Sequence, residues 1–294
     1  KIKEIQKASN NFDLLDKHVC KVKRFIDRYE KDNWVFNLLP GEGRSMRKLE
    51  FKPIDVSKYA HEYLFDRANK VLLMSATILD REAFCELLGI PKEDCEFLTL
   101  PSPFPIENKP IITAGIGKMS AQYIDKTLPN LVSAVESIIS EHKDEKGIIH
   151  CHSYKIANYL KKNIKVGKYR LIYHTSSDRD EALERHKSID KPTILLSPSM
   201  TEGVDLRDDL SRFQIICKIP YPYLGDKLIR KKMNKWKWWY PLQTAKTIIQ
   251  SIGRSIRSKE DYATTYILDE DWNKFYRINK RLFPEDFHDA IKNN

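Results

Sequence analysis

Short apolar segments alternate with amphipathic segments through the second half of the sequence. Six of them have the length of buried β-strands, at 111–115, 147–151, 170–174, 193–197, 213–219 and 265–268. Helical patterns lie between them, at 120–142, 153–163, 178–188 and 243–258. Alternating strands and helices form right-handed βαβ crossovers, which give a parallel sheet covered on both faces. The sequence therefore predicts an α/β fold with ligands at the carboxyl ends of its strands.

The first third of the sequence has a less regular pattern. Residues 1–32 are polar and charged, with apolar residues at irregular helical spacing, which predicts one or two helices. LLPGEGRS at 38–45 indicates a loop. KVLLMSAT at 70–77 has the length of a strand, and a helix is predicted after it as far as Gly89. Four prolines within 100–110 indicate an extended linker and a domain boundary.

Composition narrows the functional class. The net charge of +10 favours a polyanionic partner such as nucleic acid. The five cysteines form no C-x-x-C pair, which argues against a disulfide scaffold or a zinc or iron–sulfur site and fits a reducing cytoplasm. His150 and His152 share a strand face, but no further ligand has suitable spacing for a metal. No apolar segment approaches the length of a membrane span. We therefore expect a cytoplasmic protein without a metal site in this chain.

The segment QSIGRSIRS at 250–258 contains residue types that bind anions. If it is helical, Gln250, Arg254 and Arg257 lie at i, i+4 and i+7 and share one face. Gly253 flanks this face at a cost in helix stability of ~1 kcal/mol relative to alanine. Two guanidinium groups can hold phosphate oxygens by bidentate hydrogen bonds. Taken alone, the segment has an alternative interpretation as a solvated basic helix face.

Two other segments place polar residues after predicted strands. Thr201, Glu202, Gly203 and Asp205 follow the strand at 193–197, where a hydroxyl and exposed amides suit a phosphate. The carboxylate of Asp205, the last of these residues, can accept a hydrogen bond from a ribose hydroxyl or from an arginine. Ser153 lies where a strand meets the amino terminus of a helix, which is a natural anion position and also an ordinary N-cap.

KLIRKKMNKWKWWY at 227–240 interleaves basic and aromatic residues. Lys231, Lys232 and Lys235 can follow a phosphate backbone, and rings such as that of Trp236 can stack on bases for ~1–3 kcal/mol each. The alternative is that the tryptophans belong to the core. The segment is thus a candidate nucleic-acid contact.

A nucleotide-binding enzyme usually contains a glycine-rich phosphate loop. None of the ten glycines begins G-x-x-x-x-G-K-[ST] or G-x-G-x-x-G. YILDED at 266–271 imitates the strand and acids that hold magnesium in such enzymes. Without a phosphate loop, we interpret it as a strand that ends in solvated acids.

The order of the motifs is more specific than any one of them. LLMSAT, SPF at 102–104, IIHCHSY, TEGVDL and QSIGRSIRS occur in the order of the second half of superfamily-two helicases. WY at 239–240 and TTYILD at 264–269 also match. Over roughly residues 50–275 the sequence resembles the XPD/DinG group of DNA helicases. The resemblance implies an ATP-dependent helicase or translocase that acts on single-stranded DNA.

The resemblance also implies roles for individual residues. Arg254 and Arg257 would be arginine fingers that stabilise charge on the γ-phosphate, with Gln250 beside them. Nucleotide contacts are expected from Glu202, Gly203, Asp205 and Gly253. Contacts with nucleic acid are expected from Ser153, Tyr154, Thr201, Lys231, Lys232, Lys235 and Trp236. The residues expected to couple ATP hydrolysis to DNA binding are Ser75, Ala76 and Thr77.

The implied organisation has three parts. Residues 1–50 would be a helical segment, the tail of an arch insertion, and residues 51–105 the end of a first RecA-like lobe with its linker. Residues 106–294 would be the second RecA-like helicase lobe. ATP and Mg²⁺ would be held mainly by an upstream lobe of the same protein, so this chain alone is expected to be inactive. The alternatives are a stand-alone lobe that binds nucleic acid without catalysis, and a related translocase on RNA or in a restriction complex.

Overall fold

The computed structural model describes residues 2–39, 47–198 and 205–292. Its helices are α1 (Ile2–Asp27), α2 (Ser57–Ala60), α3 (Arg81–Leu88), α4 (Ile124–Glu141), α5 (Tyr154–Asn163), α6 (Arg179–Ser188), α7 (Lys227–Lys235), α8 (Trp239–Ile252), α9 (Asp271–Asn279) and α10 (Glu285–Ala290). Its strands are β1 (Trp34–Leu39), β2 (Lys48–Pro53), β3 (Ile111–Thr113), β4 (Gly147–His150), β5 (Leu171–Tyr173), β6 (Ile194–Ser197), β7 (Phe213–Ile216), β8 (Thr264–Ile267) and β9 (Ile291–Lys292). Within the described residues, none of the helices has the length and apolar character that a membrane crossing requires.

The chain divides into two compact units. The small unit comprises Lys1–Lys70, Glu86–Ile90 and Tyr223–Lys235. The large unit comprises Val71–Cys85, Pro91–Pro222 and Trp236–Asn294. The domain boundaries that the sequence suggests, near residues 50 and 105, stay a prediction.

A seven-stranded sheet forms the centre of the large unit. Its strand order is β5-β6-β4-β7-β8-β3-β9, and every neighbouring pair is parallel. Gly147 at the start of β4 pairs with Ile194 and Phe213 of the two adjacent strands. A side chain at Gly147 would meet the Phe213 ring at 2.4 Å, so this register requires glycine. The predicted α/β class with a parallel sheet is confirmed.

Consecutive residues of the central strands pack on opposite faces of the sheet. Ile149 of β4 packs with Leu131 of α4 and Leu160 of α5, whereas Ile148 packs with Leu195 and the residues of α6. Further along the sheet, α8 and α9 supply a separate apolar cluster. Each fully buried aliphatic side chain contributes ~1.5–3 kcal/mol relative to an exposed one. Burial on both faces explains why the strands are almost continuously apolar in sequence.

From residue 111 onward, the predicted strands and helices are present, but their ends differ. The strand predicted at 213–219 ends at Ile216 as β7, and the helix predicted at 243–258 is α8, which ends at Ile252. The helix prediction over the last six of those residues is therefore wrong. The N–H of Gly253 donates to Ile249 O at 2.9 Å, and glycine is the residue that most commonly follows a helix end.

The segment at 70–77 is not a strand, contrary to the prediction. None of the described residues forms β-sheet hydrogen bonds with the backbone of this segment. The side chains of Leu72 and Met74 are 80% and 83% exposed. A strand needs a neighbouring strand with which its backbone N–H and C=O groups can form hydrogen bonds. An apolar segment of strand length therefore remains irregular here.

The small unit contains one helix and a hairpin in its first part. The predicted helical region is the single helix α1, of which no residue is buried. Strands β1 and β2 form an antiparallel hairpin that the sequence analysis did not anticipate. Phe25 of α1 stacks on Phe51 of β2 with ring centroids 4.4 Å apart and meets the edge of Trp34. The loop predicted at 38–45 lies largely outside the described residues, and its first two residues belong to β1.

Candidate functional site

Ser153 and the two predicted arginines lie at opposite edges of the parallel sheet. Ser153 follows the carboxyl end of β4, as expected. The segment after α8, residues 253–258, lies instead at the amino ends of β7 and β8. A crossover helix runs antiparallel to the strands that it connects, so the end of α8 returns to the amino edge. The two arginines therefore lie away from the carboxyl edge, at which ligands are predicted for this kind of sheet, and four-residue strands separate the two edges by roughly 13 Å.

We call residues 253–258 the arginine segment. Gln250 is in the last turn of α8, whereas Arg254 and Arg257 lie beyond the helix end. The predicted single helical face that carries all three side chains is thus absent. The Nε2 of Gln214, on β7, donates to Ile252 O at 2.9 Å, so the sheet itself satisfies a carbonyl at the end of α8.

Asp205 and the arginine segment are in direct contact. The Nε of Arg257 donates to Asp205 Oδ1 at 3.3 Å, and Arg207 Nη2 donates to Oδ2 at 2.9 Å. The N–H of Leu206 donates to Arg254 O at 3.2 Å. The side chains of Asp205 and Arg257 are both 43% exposed, and ion pairs of such exposure contribute ~0–1 kcal/mol. A phosphate can therefore compete with Asp205 for this guanidinium group.

Gln250 also contacts the SAT motif. Its Nε2 donates to Thr77 Oγ1 at 3.3 Å, and the N–H of Thr77 donates to Ser75 Oγ at 3.2 Å. Thr77 is buried, whereas Ser75 and Ala76 are exposed. The structure thus brings together two motifs that are 173 positions apart in sequence.

Lys246 is a cation near Gln250 that the sequence analysis missed. It precedes Gln250 by one turn of α8, and therefore lies on the same helix face. Burial lowers the pKa of the Lys246 ammonium group, and the charge of Asp80 opposes this shift. The i, i+4 spacing from Gln250 was the available sequence signal.

At the carboxyl edge, Ser153 acts as the N-cap of α5. Its Oγ accepts a hydrogen bond from the N–H of Ile156 at 3.5 Å, and Tyr154 beside it is exposed. His152 has a left-handed backbone with φ +49°. Burial, with His150 and Lys218 nearby, lowers the pKa of the His152 imidazole to about 3, so it is neutral at physiological pH. A group of three or more metal-ligating side chains is absent from the described ranges.

Asp269 differs from the solvated acid that the sequence analysis expected. Its side chain is 2% exposed and accepts hydrogen bonds from the N–H groups of Met119, Ile219 and Asp271 at 3.3, 2.9 and 3.1 Å. Burial raises the pKa of the carboxyl group. Asp269 therefore joins three loops at the carboxyl edge.

The basic and aromatic residues at 227–240 differ in exposure. Lys231 is exposed on α7, Lys232 is half-buried with a pKa lowered by burial, and Lys235 forms an ion pair with Asp55 within the small unit. Trp236 is only 5% exposed. A buried indole presents no ring face to a base, so burial contradicts the expected stacking by Trp236. Three further predicted residues lie outside the described ranges: Thr201, Glu202 and Gly203.

Comparisons with known proteins agree with the motif order. The helicase C-terminal domain family matches residues 136–290, which is more than half of the chain. The ATP-dependent DNA helicase DinG of Photobacterium profundum is 27% identical over 241 residues, which cover 75% of this chain and 34% of that protein. A probable ATP-dependent helicase of Methanocaldococcus jannaschii is 29% identical over 273 residues, which cover 83% of this chain and 40% of that protein.

A solved structure shows the same fold. A structure titled XPD helicase has a TM-score of 0.59 and 18% identity, over 90% of this chain and 50% of that one. The chain thus spans between a third and two fifths of the length of the two curated relatives. The resemblance inferred from sequence is confirmed: the chain belongs to the helicase C-terminal domain family, within its XPD/DinG-like group.

Proposed function

We propose that this chain supplies the second RecA-like lobe of an ATP-dependent helicase or translocase that acts on single-stranded DNA. The observation that carries the proposal is the grouping of Gln250, Arg257 and Asp205 around the end of α8, with Thr77 bonded to Gln250. Two curated relatives are named as ATP-dependent helicases, one of them a DNA helicase. The proposal assigns the amino edge of the sheet to nucleotide and the carboxyl edge to DNA.

The residues at the amino edge suit the γ-phosphate side of an ATP site. When bound, ATP supplies a γ-phosphoryl group on which negative charge is redistributed during transfer to water. Arg254 and Arg257 would stabilise that charge, since guanidinium groups hold phosphate oxygens in two-pronged hydrogen bonds. Asp205 would hold Arg257 in the absence of nucleotide through an ion pair that exchanges easily. Among the described residues no group suits Mg²⁺, so the metal would depend on other residues.

The carboxyl edge and α7 would contact the DNA backbone. Ser153 and Tyr154 stand at the amino terminus of α5, where backbone N–H groups favour a phosphate. Thr201, outside the described ranges, and the exposed Lys231 would add contacts. Lys232 and Lys235 would contribute less, because one is half-buried and the other is paired with Asp55.

Coupling between ATP hydrolysis and DNA binding would use the SAT motif. Thr77 bonds Gln250 directly, so a change at the end of α8, next to the arginine segment, would reach residues 75–77 through one hydrogen bond. Cycles of ATP binding and hydrolysis would then alternate the grip on DNA, as in other motors built from two lobes.

The test uses the natural gene product that carries this sequence. We expect Arg254→Ala and Arg257→Ala each to lower the kcat of ATP hydrolysis at least tenfold in the presence of single-stranded DNA, while DNA affinity in fluorescence anisotropy is retained. Arg277→Ala, an exposed arginine on α9, is the matched control and should leave kcat unchanged. Unaltered turnover in both variants would refute the finger assignment. A natural protein that binds single strands but hydrolyses no ATP would favour the non-catalytic binding lobe, and preference for RNA would favour the RNA translocase.

A further inference from the structure

Asp261 is a buried acid for which the proposed function gives no role. It lies in the connection between the arginine segment and β8, and it is 2% exposed. A buried carboxylate is costly unless hydrogen bonds and charges compensate for its lost hydration. The hydrogen-bond partners of Asp261 therefore indicate its structural role.

Both carboxylate oxygens accept hydrogen bonds, each from a pair of donors. Oδ2 accepts from the backbone N–H groups of Arg257 and Ser258 at 3.0 and 3.2 Å. Oδ1 accepts from the N–H of Asp208 at 3.1 Å and from Arg212 Nη1 at 3.3 Å. One oxygen thus holds the arginine segment, and the other holds the loop that carries Asp205.

The charge of Asp261 fits this arrangement. Burial alone would raise the pKa of its carboxyl group, but the N–H groups of Arg257 and Ser258 and the Arg212 guanidinium hold it below the usual value. Arg212 has only 12% of its side chain exposed, and it lies over the Tyr262 ring at 4.4 Å. The compensating cation is therefore itself fixed in place.

The loop that carries Asp205 needs such an anchor. Asp208 has a left-handed backbone with φ +56°, which costs an L-residue on the order of 1 kcal/mol or more and persists only where neighbours enforce it. Its N–H is bound by Asp261. A second link joins the same two segments, since Ser255 Oγ donates to Ser211 Oγ at 2.8 Å and both residues are fully buried.

We propose that Asp261 is the positioning residue of the arginine segment. It fixes the backbone at Arg257 relative to the loop of Asp205, so that the guanidinium group meets either Asp205 or a phosphate from a set position. Asp261 touches neither substrate nor reacting atoms, and acts through Arg257. This inference rests on the proposed function, because it requires Arg257 to act on ATP.

A double-mutant cycle tests the inference in the natural gene product that carries this sequence. We expect Asp261→Asn to lower the kcat of DNA-stimulated ATP hydrolysis about tenfold with an unchanged KM for ATP, because the asparagine amide places an N–H group against donors that need an acceptor. In an Arg257→Ala background, Asp261→Asn should lower kcat by less than twofold, since residues that act as a unit are not additive. Asp209→Asn is the control: Asp209 also bonds Arg212, but its side chain is 94% exposed, and kcat should be unchanged.

The outcomes separate this inference from the proposed function. If Arg257→Ala leaves kcat unchanged, the finger role of Arg257 fails and the inference fails with it, whereas the role of Arg254 is judged by its own variant. If Arg257→Ala lowers kcat but Asp261→Asn lowers it equally in both backgrounds, only the inference is overturned, because Asp261 then acts on the fold. Arg212→Lys provides a second variant should Asp261→Asn not fold; it removes the Nη1 bond and should give a smaller loss of kcat that also vanishes in the Arg257→Ala background.

Discussion

The buried His186 makes the stability of the large unit depend on pH between about 4 and 6.5. Its Nε2 is 2.8 Å from Leu210 O and its Nδ1 is 2.9 Å from Thr193 Oγ1. Because a carbonyl only accepts, Nε2 carries the proton and Nδ1 accepts from the threonine hydroxyl. Burial lowers the pKa of the imidazole to about 4, so the folded protein holds this side chain neutral.

The sign and size of the effect follow from the two pKa values. The unfolded chain has a histidine pKa of about 6.5 and binds a proton below that pH. In the folded protein His186 binds this proton only as the pH falls to about 4. Stability from this group is therefore complete above about pH 6.5 and is lost as the pH falls through that window. Between pH 7 and pH 5 the loss is about 2 kcal/mol in the free energy of unfolding.

The measurement is urea unfolding at pH 7 and pH 5, for the wild type and for His186→Gln. The glutamine amide can still donate to Leu210 O but does not titrate, so the variant should lose about 2 kcal/mol less than the wild type over the same pH change. His18→Gln, at an exposed position on α1, is the control and should lose as much as the wild type. Equal losses for His186→Gln and the wild type would refute the reasoning, whatever the absolute stability of the variant.

Two further predictions concern the proposed function. Thr77→Val keeps the shape of the side chain but removes the acceptor of the Gln250 amide, so we expect stimulation of ATP hydrolysis by DNA to fall about 2- to 10-fold with DNA affinity unchanged; unaltered stimulation would exclude this bond from the coupling. Lys231→Gln should reduce the slope of log affinity against log salt concentration by about 1 in a single-strand binding assay, because one phosphate contact is lost. An unchanged slope would show that Lys231 does not contact the DNA backbone.

The sheet could be predicted from the sequence because its signals are local. The segments around Ile148, Leu195 and Ile215 are mostly apolar, are short, and are separated by helical patterns, and each forms a central strand of the sheet. The same reasoning fails for Leu72 and Met74, since a strand also needs a partner. Periodicity reports which side chains can be buried, but not whether a neighbouring strand is present to pair with the backbone.

The site residues could be predicted as types but not in their arrangement. The order of the motifs points to Gln250, Arg254 and Arg257, and the matched helicase C-terminal domain at 136–290 contains all three. At the end of α8, before the two arginines, the Ile252 carbonyl accepts from Gln214, which is 38 positions away in sequence and gives no local signal. The role of Asp261 could not be predicted from its neighbours Arg257 and Ser258 alone, because its other oxygen binds Asp208 and Arg212, which belong to a distant segment. Trp236 could have been either a core residue or a stacking platform, and only its burial decides between them.

The arginine segment combines a weak hold on a side chain with a strong hold on its backbone. The Arg257 guanidinium is paired with Asp205 where both are 43% exposed, so exchanging this partner for a phosphate costs at most about 1 kcal/mol. The backbone N–H of the same residue donates to the buried carboxylate of Asp261, and a hydrogen bond to a charged group contributes ~1.5–3 kcal/mol. A ligand that attracts the Arg257 guanidinium group therefore displaces the side chain more easily than the backbone. Such a division of energies lets one arginine change partners while its position relative to the sheet stays constant, which is what charge stabilisation by a preorganised group requires.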